Sequence, residues 1–167
     1  MRIIIRDIFN DTDAVEQLQA LFESCSDHFQ IHGASLVWAG EETLLCIQMD
    51  PYRRIFCIFC DENPELIGGM EVRLSHPSDD CLSFGWFLIR HNWRGMGIGT
   101  EAVQEIERRA VREWHVVSME CGVTEHENRA RNFLVKNGFK ETISNTTNKM
   151  LVGSGNARAS PSIRLTN

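Results

Sequence analysis

Phe84-Gly85-Trp86-Phe87-Leu88-Ile89-Arg90-His91-Asn92-Trp93-Arg94-Gly95-Met96-Gly97-Ile98-Gly99-Thr100 is the stretch that decides how this chain folds. An apolar run ends, three glycines follow at alternate positions, and an amphipathic pattern begins at once. That order predicts a strand, a tight glycine turn and a helix. The first N–H groups of a helix have no partner within it, and its dipole favours negative charge there. Glycine lets such a backbone bend sharply and lets an anion come close. The stretch is expected to bind a phosphate-bearing ligand through its backbone.

Upstream of it, residues 66–74 read as a strand containing Gly68-Gly69, and residues 75–80 as a turn. Residues 55–60 form another strand, with a turn over 61–65 set by Asp, Asn and Pro. At the beginning, residues 2–8 are a β-branched strand. Asn10-Asp11-Thr12-Asp13 offers several N-caps for a helix through about Phe29, striped by Leu18, Leu21, Phe22, Cys25 and Phe29. Gly33 breaks that helix, and residues 28–33 are expected as a loop forming a wall for a substrate. A second helix starts near Gly40, carries Leu44, Leu45 and Met49, and ends at Pro51.

Downstream, Val103, Ile106, Ala110 and Trp114 stripe a helix on which Glu105 and Arg109 pair one turn apart. A strand over 116–123 precedes a helix over 128–137 that Gly138 terminates. Strands over 139–143 and 149–152 complete the pattern. The fold class is α/β, with one domain over residues 1–152 and a polar tail over 153–167.

The chain has 167 residues, enough to bury a core in one domain. The N-terminal residues reach charge after three apolar positions, unlike a secretory leader. No uncharged apolar run approaches the roughly 20 residues needed to span a bilayer. A formal net charge of −6 argues against nucleic-acid binding, which calls for a basic surface. The six cysteines lie mostly among apolar neighbours and suit reduced thiols in the cytoplasm. Cys57 and Cys60 have a redox or metal spacing, but three residues along a strand send their sulfurs to opposite faces. No metal site is expected.

Three phosphate-binding patterns compete at the glycine turn. A P-loop requires Gly-Lys-Ser or Gly-Lys-Thr, and Gly99-Thr100 has no lysine. A dinucleotide fingerprint over Gly97 to Ala102, with Glu120 as the ribose acid, requires strands that alternate with helices, and here a meander precedes it. In the third pattern, Arg94-Gly95-Met96-Gly97-Ile98-Gly99 resembles the Arg/Gln-x-x-Gly-x-Gly/Ala loop of the GNAT family of acyl-CoA N-acyltransferases. Residues 127–139, from Glu127-Asn128-Arg129-Ala130 to Gly138-Phe139, resemble that family's Asn-x-x-Ala-x-x-Phe-Tyr-x-Lys-x-Gly-Phe helix.

The resemblance implies a mixed, mainly antiparallel, twisted sheet flanked by helices, with a splayed strand pair holding acetyl-CoA. It implies pyrophosphate on the backbone of Arg94, Gly95, Met96, Gly97, Ile98, Gly99 and Thr100. Pantetheine would lie beside Leu88, Ile89 and Arg90, with an oxyanion-stabilising N–H near Leu88. Glu127 stands where the family has its cofactor-touching asparagine, so Asn128, displaced by one, and Arg131 would reach the cofactor. The acceptor would be a primary amine on a small molecule or a protein, attacking the thioester directly without a covalent enzyme intermediate. Neither nucleic acid nor membrane is expected as partner, and a homodimer stays open.

The family's tyrosine, which protonates the departing thiolate, is replaced by Leu134, and the single tyrosine, Tyr52, lies far away in sequence. A thiol of pKa about 8.5 leaves tolerably as thiolate. An amine of pKa about 10 must first lose a proton, so a general base is needed. Glu71 and then Glu120 are the candidates, each an acid inside an otherwise apolar strand. Alternation towards a polar face explains both equally well. Leu134 leaves open a CoA-binding sensor without turnover; a plain interaction domain would have no use for the glycine turn.

Overall fold

The computed structural model describes residues 2–8, 14–32, 39–61, 63–123, 127–141 and 146–150. In chain order the elements are β1 (Ile3–Asp7), α1 (Ala14–Ser24), α2 (Ser26–His32), α3 (Ala39–Met49), β2 (Arg53–Cys60), β3 (Asn63–Leu74) and β4 (Cys81–Ile89). A 3-10 turn (His91–Trp93) leads to α4 (Ile98–Glu113), β5 (Ser118–Gly122), α5 (Asn128–Lys136), β6 (Lys140–Glu141) and β7 (Thr146–Met150). The chain forms two compact units, residues 1–72 with 86–102, and residues 73–85 with 103–167. Their boundaries fall inside β3, β4 and α4. The expected tail lies outside the described residues.

In the first unit the strand order is β1-β2-β3-β4. β1 pairs with β2 antiparallel, Ile3 opposite Cys60 and Asp7 opposite Phe56. One face is covered by α1 and α3, whose Leu18, Leu21, Phe22 and Ile47 bury against Ile55 and Leu88. Phe22 stacks edge-on with both Phe29 and Trp86 at 5.1 Å. β3 lies close against β4: a Cβ on Gly68 would sit 2.6 Å from Ile89 Cδ1 and 2.7 Å from Leu88 O, so only glycine fits.

In the second unit the order is β4-β5-β7-β6. β4 and β5 are parallel, from Cys81 opposite Ser118 to Phe84 opposite Cys121. β5 and β6 both pair antiparallel with β7. Val103, Ile106 and Ala110 are buried as their spacing requires, and Glu105 pairs with Arg109 at 2.9 Å.

Three expectations are corrected. The first helix is two, because the chain turns at Cys25. Residues 28–32 are helical, not loop; Gly33 lies outside the described residues. On α3 the buried positions are Ala39, Gly40, Leu44 and Ile47, whereas Leu45 and Met49 are exposed. The segment Leu44 to Met49 is apolar nearly all round, so its pattern has no unique phase.

Candidate active site

The glycine turn joins the end of β4 to α4. After Ile89, the 3-10 turn closes with Trp93 N–H donating to Arg90 O (2.9 Å) and Arg94 N–H to His91 O (3.3 Å). Gly95 and Gly97 have φ of +81° and +84°, the left-handed region that other residues enter at a cost. A Cβ on either would meet nothing within 4 Å, so conformation rather than crowding selects glycine. Ile98 is buried and anchors the helix start, while Gly95, Met96 and Gly97 are exposed. The first bond entering α4 runs from Glu101 N–H to Gly97 O (3.0 Å). The N–H groups of Ile98, Gly99 and Thr100 precede it, at the positive end of a 16-residue helix. Backbone donors so placed at a helix start can receive an anion.

The side chains of the two arginines near the turn are engaged within the protein. Arg90 N–H donates to Ile67 O (2.9 Å), its Nε to Leu66 O (2.7 Å), and its Nη1 lies 3.1 Å from Glu65. Arg90 is thus a strut on β3. Arg94 Nε donates to Ile89 O (2.7 Å), and its fork spans the Asp27 carboxylate at 2.9 and 3.3 Å. The Arg94 hydrogen bond holds the Asp27 carboxyl below its usual pKa, and the guanidinium is raised in turn. Asp27 and Cys25 carried no sequence signal for this role.

Strand alternation fixes which edge of β4 each residue presents. Arg90 N–H and Leu88 O are turned to β3. In an antiparallel strand a residue's N–H and C=O share one side, so Leu88 N–H is turned to β3 as well. Phe87 and Ile89 then present theirs to the other edge, in keeping with the Arg94 contact at Ile89 O.

Glu71 is an ion-paired carboxylate, its Oε1 3.4 Å from Arg53 Nε. Glu120 sits between Ser83 on β4 and Asn148 on β7. Asn128 is exposed at the start of α5, and Arg131 Nε lies 3.3 Å from Glu141. Leu134 is 3% exposed, a core position. Cys121 ends the β4–β5 register; burial, with the Glu127 carboxylate adding, pushes its thiol up to about 12. Among the described residues no helix is long and apolar enough to cross a membrane.

Comparison with known proteins identifies the architecture. No curated protein sequence matches the chain. An acetyltransferase from Thermus thermophilus is 21% identical, with a TM-score of 0.76 over 90% of this chain and 98% of that one. The PaiA N-acetyltransferase of Thermoplasma acidophilum, solved in complex with coenzyme A, is 17% identical (TM-score 0.72; 90% of this chain, 99% of that one). The N-acetyltransferase PseH of Campylobacter jejuni, solved in complex with acetyl coenzyme A, is 15% identical (TM-score 0.63; 89% and 99%). The sequence profile of the Acetyltransferase (GNAT) family matches residues 15–139. With three-quarters of its length under that profile and both the glycine turn and α5 inside it, this chain belongs to the GNAT acetyltransferase family.

Proposed function

We propose that the chain is an N-acetyltransferase that moves the acetyl group of acetyl-CoA to a primary amine. The observation that carries the reading is the backbone cradle of Gly95 and Gly97 at the start of α4, in a chain of this family. The pyrophosphate of acetyl-CoA is assigned to the N–H groups around residues 95–100. Its pantetheine arm is assigned to the β4 edge presented by Phe87 and Ile89, and Asn128 and Arg131 are retained as further contacts.

Amine and thioester bind together. The amine nitrogen attacks the carbonyl carbon, the C–N bond forms, and the C–S bond breaks as coenzyme A leaves. A backbone N–H at the carbonyl oxygen stabilises the oxyanion as it develops. Positioning the two reactants supplies much of the rate. The amine proton is assigned to a carboxylate, either Glu71 or Glu120. Glu71→Gln and Glu120→Gln separate these: the acidic limb of the pH–rate profile disappears with the true base, and a limb kept in both excludes both. Six free cysteines among the described residues suit a reducing cytoplasm.

Thiol release from acetyl-CoA across a panel of polyamines, aminoglycosides and N-terminal peptides tests the activity. Amine-dependent release supports it. Binding of acetyl-CoA without release with any amine would favour a sensor, the second reading, for which the buried Leu134 at the tyrosine position speaks.

A further inference from the structure

Arg94 joins three elements of the first unit, and the sequence motif alone does not explain why. Its Nε holds Ile89 O, the last residue of β4, at 2.7 Å. Its two terminal nitrogens hold Asp27, in the first turn of α2, at 2.9 and 3.3 Å. Cys25, at the break between α1 and α2, is fully buried and places its sulfur 3.6 Å from the same Ile89 O. A planar guanidinium satisfies a carboxylate with two parallel N–H bonds and leaves Nε for a third, a geometry that lysine cannot reproduce. The chain turn at Cys25 therefore has a consequence. It redirects the helix so that Asp27 meets the residue opening the cofactor turn.

We propose that Asp27 is a positioning residue that, through Arg94, latches α2 to the end of β4 and sets the cofactor turn for acetyl-CoA. The inference rests on the acetyl-CoA reading above. A fork held at both ends removes freedom from the turn before the ligand arrives, so less ordering remains to be done on binding. By reciprocity, acetyl-CoA in the turn steadies α2, and any acceptor that leans on α2 binds more tightly to the loaded protein. The latch is largely at the surface, with the Asp27 side chain 62% exposed, so its removal scarcely alters global stability.

The test is calorimetric titration of acetyl-CoA into the full chain and its Asp27→Asn, Asp27→Glu and Arg94→Lys variants, with a thermal melt of each. Asp27→Asn and Arg94→Lys are expected to weaken acetyl-CoA by about three- to tenfold, because a charge-assisted fork is lost. Asp27→Glu is expected to recover most of that loss, and the melts of Asp27→Asn and Asp27→Glu to stay close to the parent's. Equal affinity in parent and Asp27→Asn overturns the latch while leaving the acetyl-CoA reading intact. A loss of affinity that merely follows a lowered melting temperature, unrescued by Glu, also overturns it. Failure of the parent itself to bind acetyl-CoA counts against the function and not against the latch alone.

Discussion

Replacing Gly97 separates what the cofactor turn owes to backbone shape from what it owes to open space. Its φ of +84° disfavours any residue with a Cβ, yet that Cβ would touch nothing within 4 Å. An alanine in the left-handed region costs about 1–2 kcal/mol, and lower entropy of the unfolded chain returns about 0.4–1 kcal/mol. Gly97→Ala should thus lose about 1 kcal/mol, a fall in Tm of about 2–4 °C for a chain of this size. Gly97→Glu carries the same strain and adds a charge. At about 5 Å from one phosphate charge and an effective dielectric of about 20, the repulsion is about 3 kcal/mol. Acetyl-CoA affinity should then fall on the order of a hundredfold in Gly97→Glu, and no more than about tenfold in Gly97→Ala. Gly122 supplies the control for stability, since its Cβ also meets nothing within 4 Å and its φ is not left-handed. Gly122→Ala should melt at or above the parent. Calorimetry and thermal melts on the three variants read both quantities. Parent-like affinity in a folded Gly97→Glu would refute the placement of the pyrophosphate, and a parent-like melt for Gly97→Ala would refute the strain.

Three further outcomes are expected. Arg90→Met, which deletes the bonds to Leu66 O and Glu65, should cost about 1–2 kcal/mol and lower Tm, with acetyl-CoA affinity within about twofold of the parent; a loss of affinity at constant Tm would make Arg90 a cofactor contact instead. Cys121, with its thiol pushed up to about 12, should resist iodoacetamide at pH 8, where only about one thiol in ten thousand is ionised, while exposed Cys46 reacts. Peptide mass mapping distinguishes the two, and equal labelling would contradict the raised pKa of the half-buried Cys121. Leu134→Tyr, which restores the family's residue at a position 3% exposed, should overpack the core and cost about 1–3 kcal/mol in a denaturant melt; an unchanged midpoint would mean that the site holds room for a hydroxyl.

The Asp27–Arg94 pair has its own pH window. The Asp27 carboxyl is lowered from 3.8, so the pair is present above that value and is lost only as the pH falls through the folded-state value beneath it. Across the neutral range it is constant, and neutral-range changes in rate must come from other groups.

The features legible in the sequence were those governed by local rules. Alternating glycines after an apolar strand gave the turn, and Gly138 after an amphipathic run gave the end of α5, where its φ is +84°. The strands of the meander were legible to within a few residues because turn composition bounds them. Features governed by partners distant in the chain were not. Cys25 looks like one more member of a helical stripe and is buried as such, yet the chain turns there. Arg90 was expected beside the pantetheine and Arg94 in the pyrophosphate turn, and the partners of their side chains, Leu66 and Asp27, are 24 and 67 residues away. Glu71 read as an unpaired acid because Arg53 belongs to another strand. Which edge of β4 faces β3 is likewise a matter of register, which the sequence alone does not show.

Calorimetric titration of acetyl-CoA into the parent chain is the most direct measurement. One site per chain is expected, with a dissociation constant of about 1 μM to 1 mM, the usual range for an enzyme's substrate. Folded protein that produces no binding heat at millimolar acetyl-CoA would contradict it.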